Sequence, residues 1–202
     1  MIPHIVAFDL GKVLVDFDYS INARQIAARG TMPEEEIRKF IDHSPLLFQL
    51  ETGRMTNEQF YEEVSQVTGF RGTMAEFSQY FADIFWPIEP MVAWSERLRA
   101  RGIPTYIFSN TNGLAVTHIR RRFPFFSSFT GYIYSYEVGA MKPDPKMYEA
   151  LERLAGKQGP EILYLDDRQE NIEAGQARDW QVILQENPQK TLATVRQLGL
   201  PE

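Results

Sequence analysis

Two kinds of hydrophobic pattern follow one another along the chain. Ile5-Val6-Ala7-Phe8 is an unbroken apolar run that stops at Asp9, the pattern of a strand buried on both faces of a parallel sheet. From Asp18 to about Pro90 apolar positions recur at helical spacing instead. Tyr19 to Ala28, Glu34 to Ile41, Asn57 to Val67 and Met74 to Ile84 read as helices, with no convincing strand between them. Start signals stand at Thr31 with Pro33 and Glu34, and at Thr56 with Gln59 in capping-box spacing.

After Pro90 helix and strand alternate. Met91 to Arg101 is a helix closed by Gly102, Thr105 to Phe108 a strand, Leu114 to Arg122 a helix and Tyr132 to Tyr134 a strand. Pro145 to Leu154 (helix), Ile162 to Leu165 (strand), Asn171 to Ala177 (helix) and Gln181 to Leu184 (strand) precede a C-terminal helix. This order predicts an α/β fold, a Rossmann-like parallel sheet flanked by helices. Residues 1–16 and 90–202 form its core, and residues 17–89 are an inserted helical cap over the carboxyl edge of the sheet.

Composition narrows the class. The chain has 202 residues, 44% hydrophobic and 24% charged, as in ordinary soluble globular proteins. Folding at this length removes roughly 70% of the unfolded surface from water, enough for a core without disulfides or structural metal. The absence of cysteine excludes a disulfide framework, a thiolate nucleophile and Cys-ligated zinc or iron–sulfur sites. A net charge of −6 weighs against nucleic acid as a partner. Met1 to Asp9 lacks the basic region and cleavage site of a signal peptide, and no apolar stretch approaches the about 18 residues of a membrane span. A cytoplasmic protein with no membrane partner is expected.

Ligands of open α/β sheets bind beyond the carboxyl ends of the strands. Here those ends carry Asp9, Ser109-Asn110, Lys142 in the loop after the third strand, and Asp166-Asp167. Each has a plainer use, as turn former, helix cap or solvated loop lysine. Converging on one crevice, however, carboxylates, hydroxyl and ammonium call for a cation to balance the acids and an anion to meet the lysine, which Mg²⁺ and a phosphate supply.

With Phe8-Asp9-Leu10-Gly11-Lys12-Val13, Ile107-Phe108-Ser109-Asn110, Lys142-Pro143 and Leu165-Asp166-Asp167-Arg168 in this order, followed by Asn171, the chain resembles the haloacid dehalogenase-like hydrolases. The likeness is to phosphatases with a helical cap after the first strand. The motif variants look closest to bacterial sugar-phosphate phosphatases of the α-D-glucose-1-phosphate phosphatase type. The resemblance implies a Mg²⁺-dependent phosphatase of a small phosphorylated metabolite, working through an aspartyl phosphate. It makes Asp9 the nucleophile, Ser109, Asn110 and Lys142 the phosphate-binding set, and Asp9, the Gly11 carbonyl, Asp166 and Asp167 the metal site.

One position departs from that pattern. Most phosphatases of the superfamily carry a general acid two residues after the nucleophile, where this chain has Gly11. General acid–base catalysis is worth about 10²- to 10⁴-fold, so its absence favours a good leaving group such as the anomeric oxygen of a sugar 1-phosphate. Asp16 or Asp18 are conceivable substitutes, and His43, Glu51 and Arg54 of the cap are candidates for substrate contact. The aromatic run Phe77, Tyr80, Phe81, Phe85 and Trp86 has helical spacing and suits core or cap interface. Two other readings are a 2-haloacid dehalogenase, for which Asp166-Asp167 has no use, and a non-catalytic phosphate-ligand-binding member lacking the acid.

Overall fold

The computed structural model describes residues 2–42 and 44–201. The chain opens with β1 (Ile5–Phe8), turns tightly through Gly11 and Lys12, and continues as β2 (Val15–Phe17). Five helices follow: α1 (Tyr19–Ala27), α2 (Glu34–Ile41), α3 (Pro45–Glu51), α4 (Asn57–Thr68) and α5 (Met74–Ala82). Strand β3 (Phe85–Pro87) leads to α6 (Glu89–Ala100), β4 (Thr105–Ser109) and α7 (Gly113–Arg122). After a short 3₁₀ turn come β5 (Gly131–Tyr134), α8 (Ser135–Val138) and α9 (Pro145–Ala155). The described chain finishes through β6 (Ile162–Asp166), α10 (Gln169–Gln176), β7 (Gln181–Leu184) and α11 (Pro188–Gln197).

The main sheet has the order β5-β4-β1-β6-β7 and is parallel throughout. The apolar run of β1 is unbroken because its two faces meet two different cores. Val6 and Phe8 pack with Trp94, Leu98, Ile119 and Val195, while Ile5 and Ala7 pack with Tyr148, Leu151, Tyr164 and Trp180. Each fully buried large apolar side chain contributes about 1.5–3 kcal/mol. Phe8 is level with Ile107 of β4 and Leu165 of β6, so the carboxyl ends of the three central strands lie close together, with β4 and β6 running on to Ser109 and Asp166. Chain order diverges on either side of β1, which puts the crevice of an open α/β sheet at these ends.

The helices from α1 to α5 surround a hydrophobic cluster of their own, including Ile26, Ile37, Phe60, Val64, Phe77 and Phe81. Leu114 of α7 joins that cluster and fastens it to the sheet-bearing part. Thr56 and Gln59 form the expected reciprocal cap, Gln59 N–H donating to Thr56 Oγ1 (3.2 Å) and Thr56 N–H to Gln59 Oε1 (2.9 Å).

Three local expectations need correction. The segment between Asp18 and Pro90 does contain a strand: β3 pairs antiparallel with β2, matching Val15 to Pro87 and Phe17 to Phe85. Each has three residues, too few for an alternation to show. Phe85 and Trp86 therefore belong to this ribbon and not to a helix, and Trp86 is 43% exposed while Phe77 and Phe81 are core. Helix α2 starts from Pro33 without a side-chain cap, and the Thr31 N–H goes to the Thr68 carbonyl (2.9 Å). No helix among the described residues is long and apolar enough to cross a membrane.

Candidate active site

The floor is built at the carboxyl ends of β1, β4 and β6. The Asp9 N–H donates to the Leu165 carbonyl (2.9 Å), fixing the backbone from which the carboxylate leaves β1. Lys142 reaches this point from the loop between α8 and α9, its side chain 1% exposed. Its ammonium donates to Asp9 Oδ1 (3.0 Å), Asp166 Oδ2 (2.6 Å) and the Phe108 carbonyl (2.8 Å), using all three protons.

Asp166 is fully buried, and both its oxygens are engaged. Besides Lys142, Oδ2 accepts from the Tyr164 hydroxyl, while Oδ1 accepts from the Arg168 N–H (2.8 Å) and Asn171 Nδ2 (3.0 Å). Burial opposes its charge, but the Lys142 ammonium and these donors win, and its pKa falls below the usual carboxylate range. Asp9 goes the other way. Burial raises its pKa, with the charges of Asp166 and Asp167 adding to that, against the attraction of Lys142. Asp167 is half-buried and raised for the same reasons, burial first and then Asp166. The Lys142 pKa is raised despite burial because both carboxylates face it.

Asp9, Asp166 and Asp167 each offer an oxygen within 4.8 Å of the others. Mutual repulsion among partly desolvated acids is relieved by a cation. A nearby acceptor fits the same donor set: Asn171 Oδ1 is buried with no hydrogen-bond partner among the described residues. Asp9, Asp167 and Asn171 line the crevice, whereas Asp166 stands behind them.

Ser109 and Asn110 line the crevice opposite the acids. The Asn110 side chain is used twice on the backbone of Lys142, accepting its N–H (2.7 Å) and donating to its carbonyl (3.0 Å). It thereby holds the lysine loop against β4, and the Asn110 carbonyl accepts from the Ser109 hydroxyl (3.3 Å). Asn112 caps α7 by accepting from the Ala115 N–H (3.0 Å), so the helix start and its positive dipole end border the same space.

The roof comes from the inserted segment. The cavity, about 640 Å³, is lined above by Tyr19, Asp42, Leu47 and Glu51 and along the side by Phe17, Phe85 and Arg168. Glu51, a candidate for substrate contact, ends α3 and lines the crevice. Arg54 does not line it; the guanidinium lies exposed over the Phe48 ring (5.4 Å). His43 lies outside the described residues. Asp16 pairs with Lys12, and Asp18 caps α1 by accepting from the Ser20 N–H (2.8 Å), so neither lines the cavity. Tyr19 and Asp42 were not foreseen. Nothing in their local sequence distinguishes them, since they are helix-start and helix-end residues brought together by tertiary packing alone.

Gly11 also lines the cavity. A Cβ there would lie 2.9 Å from Phe17 Cε1, so the ring occupies the space a side chain would need. Lys12 holds that ring, with a left-handed backbone (φ 58°), its ammonium 4.6 Å from the ring centroid and donating to the Phe17 carbonyl (3.2 Å).

Comparison with known proteins adds to this geometry. The model of the haloacid dehalogenase-like hydrolase family matches residues 3–178. A D-ribitol-5-phosphate phosphatase of Bacteroides thetaiotaomicron is 27% identical over 197 residues, covering 93% of each chain. In fold, a HAD-like family hydrolase from Porphyromonas gingivalis superposes with a TM-score of 0.84 over 100% of both chains at 21% identity. A HAD family enzyme of Bacteroides thetaiotaomicron, solved in complex with magnesium and inorganic phosphate, gives 0.78 at 20% identity, covering 88% of this chain and 91% of its own.

Proposed function

Because the chain belongs to the haloacid dehalogenase-like hydrolases over residues 3–178, we propose that it is a Mg²⁺-dependent phosphatase of small phosphorylated sugars or sugar alcohols. The observation that carries this reading is the single crevice in which Asp9, Asp167, Ser109 and Lys142 meet. Residues 1–16 and 90–202 act as the catalytic core and residues 17–89 as the cap. Asp9 attacks phosphorus to give an aspartyl phosphate, which water then hydrolyses. Lys142, Ser109 and the start of α7 stabilise the phosphoryl oxygens, and the Lys142–Asp9 hydrogen bond is the one a phosphoryl oxygen would replace.

Asp9, Asp167 and the Gly11 carbonyl would hold Mg²⁺, with Asp166 acting from behind by fixing Lys142, Asn171 and the Arg168 backbone. The ion supplies positive charge to the transferred phosphoryl group and opposes the burial and acidic neighbours that push Asp9 toward protonation. Among phosphate esters, a sugar 1-phosphate is favoured by the floor alone, since Gly11 offers no acid. The polar roof and the phosphorylated polyol named for the Bacteroides relative support a sugar-like substrate class. The test is hydrolysis of p-nitrophenyl phosphate with and without Mg²⁺. Activity lost on chelation and restored by Mg²⁺ is expected; metal-independent release of halide from a 2-haloacid, with no phosphatase activity, would overturn the proposal.

A further inference from the structure

The phosphatase reading leaves the proton for the leaving oxygen without a source. The floor cannot supply one from position 11, because the Phe17 ring fills the space beside Gly11. Four carboxylates line the cavity: Asp9, Asp42, Glu51 and Asp167. Asp9 is the nucleophile of that reading, and Asp167 belongs to the metal-binding group. Of the remaining two, Glu51 ends the helix that is docked on the core. Its carboxyl responds to the Asn112 amide at the start of α7 and to the charges of Asp9 and Arg168. Tyr19, also in the lining, keeps its hydroxyl protonated through burial and the charges of Glu51 and Asp42.

The backbone holds Glu51 at this place. Two residues later Gly53 adopts a left-handed conformation (φ +66°) and seats against α8 so closely that a Cβ would fall 2.2 Å from the Tyr136 carbonyl oxygen. The end of α3 is thus docked on the catalytic core, not suspended above it.

Resting on the phosphatase reading, we propose that Glu51 is the general acid and base of the reaction, delivered from the cap in place of the side chain missing at Gly11. As Asp9 bonds to phosphorus, the phosphorus–oxygen ester bond breaks and its electron pair stays on the leaving oxygen. Glu51 gives that oxygen its proton and becomes a carboxylate. In the second half, Glu51 takes a proton from the water that attacks phosphorus, inorganic phosphate leaves, and Asp9 is regenerated. Burial suits the carboxyl to both duties by pushing its pKa up to about 7, against the Asn112 amide and with the Asp9 charge. The preference for anomeric leaving groups set by the floor is thereby relaxed, and the substrate class extends to primary alkyl esters such as sugar 6-phosphates.

The test uses p-nitrophenyl, phenyl and benzyl phosphate with Mg²⁺, three esters of similar shape and rising leaving-group basicity. In Glu51→Gln, kcat/KM for benzyl phosphate, which reports the ester-cleaving half alone, should fall about 10²- to 10⁴-fold and that for p-nitrophenyl phosphate less than about tenfold, while kcat, which includes the shared hydrolysis of the aspartyl phosphate, falls on all three. Glu51→Asp should recover part of the benzyl phosphate rate. Gly53→Ala, which displaces the end of α3 and leaves the carboxyl chemically intact, should show the same leaving-group dependence more weakly. Equal losses of kcat/KM on all three esters, or a change confined to KM, would overturn the assignment alone. Failure of the unaltered protein to hydrolyse any of them would overturn the phosphatase reading and the assignment with it.

Discussion

The floor and the roof of the crevice are built on different principles. On the floor the buried charges are cross-linked: Asp166 accepts four hydrogen bonds, Lys142 donates three, and Asn110 grips the lysine backbone at two points. The roof faces the floor through Glu51, whose carboxyl responds to Asn112, Asp9 and Arg168. A densely cross-linked floor provides fixed charge before substrate arrives, where electrostatic stabilisation is worth most. A roof carried on its own hydrophobic cluster can change substrate contacts without disturbing that network.

The sharpest break in this contrast is Asp9→Asn, which removes the nucleophile and one carboxylate of the acidic group while keeping the side chain's size. Phosphatase activity should fall at least about 10³-fold, with circular dichroism and melting showing a folded protein. Lys142→Met attacks the floor's cross-linking instead. It leaves Asp166 buried without its cation, and stability in urea with chelator present should drop by about 3–5 kcal/mol. No roof substitution at Glu51 should approach that loss. Asp167→Ala should weaken Mg²⁺ affinity at least about tenfold by calorimetric titration. By removing like-charge repulsion it should leave the metal-free protein as stable as before or more so.

How far the two regions were legible in the sequence follows the same division. Asp9, Ser109 and Asp166 sit at ends of apolar strands, so a local pattern marks both the strand and the residue beyond it. Lys142 and Asp167 follow from the same motifs. The burial of Asp166 behind Asp167 and the use of Asn110 on the lysine backbone are tertiary facts with no periodicity to announce them. The roof was less legible because its decisive features are short. The β2–β3 ribbon has three residues per strand, and α3 has seven. Gly11 was visible as a missing acid, but only the fold shows Phe17 in its place and Glu51 across the cavity.

The smallest expected effect concerns the roof and is seen without any substrate. Glu51 has a folded-state pKa raised to about 7 from 4.5, chiefly by burial. The unfolded chain therefore binds fewer protons at this residue between those values, and its stabilising contribution is present at low pH and lost as pH rises through about 7. Glu51→Gln, which has nothing to ionise, should gain melting temperature over the parent as pH rises from 4.5, levelling off above about 7. A difference independent of pH would show that the carboxyl is not desolvated in the crevice.

The most direct test of the central claim, that the floor carries out phosphoryl transfer through Asp9, is to trap the intermediate. The protein is mixed with a phosphate ester and Mg²⁺, quenched in acid within one turnover, and digested for mass spectrometry. One phosphoryl group is expected on the peptide containing Asp9, absent after hydroxylamine treatment and absent in Asp9→Asn. Phosphate release without such an adduct, or an adduct that persists in Asp9→Asn, would contradict the account.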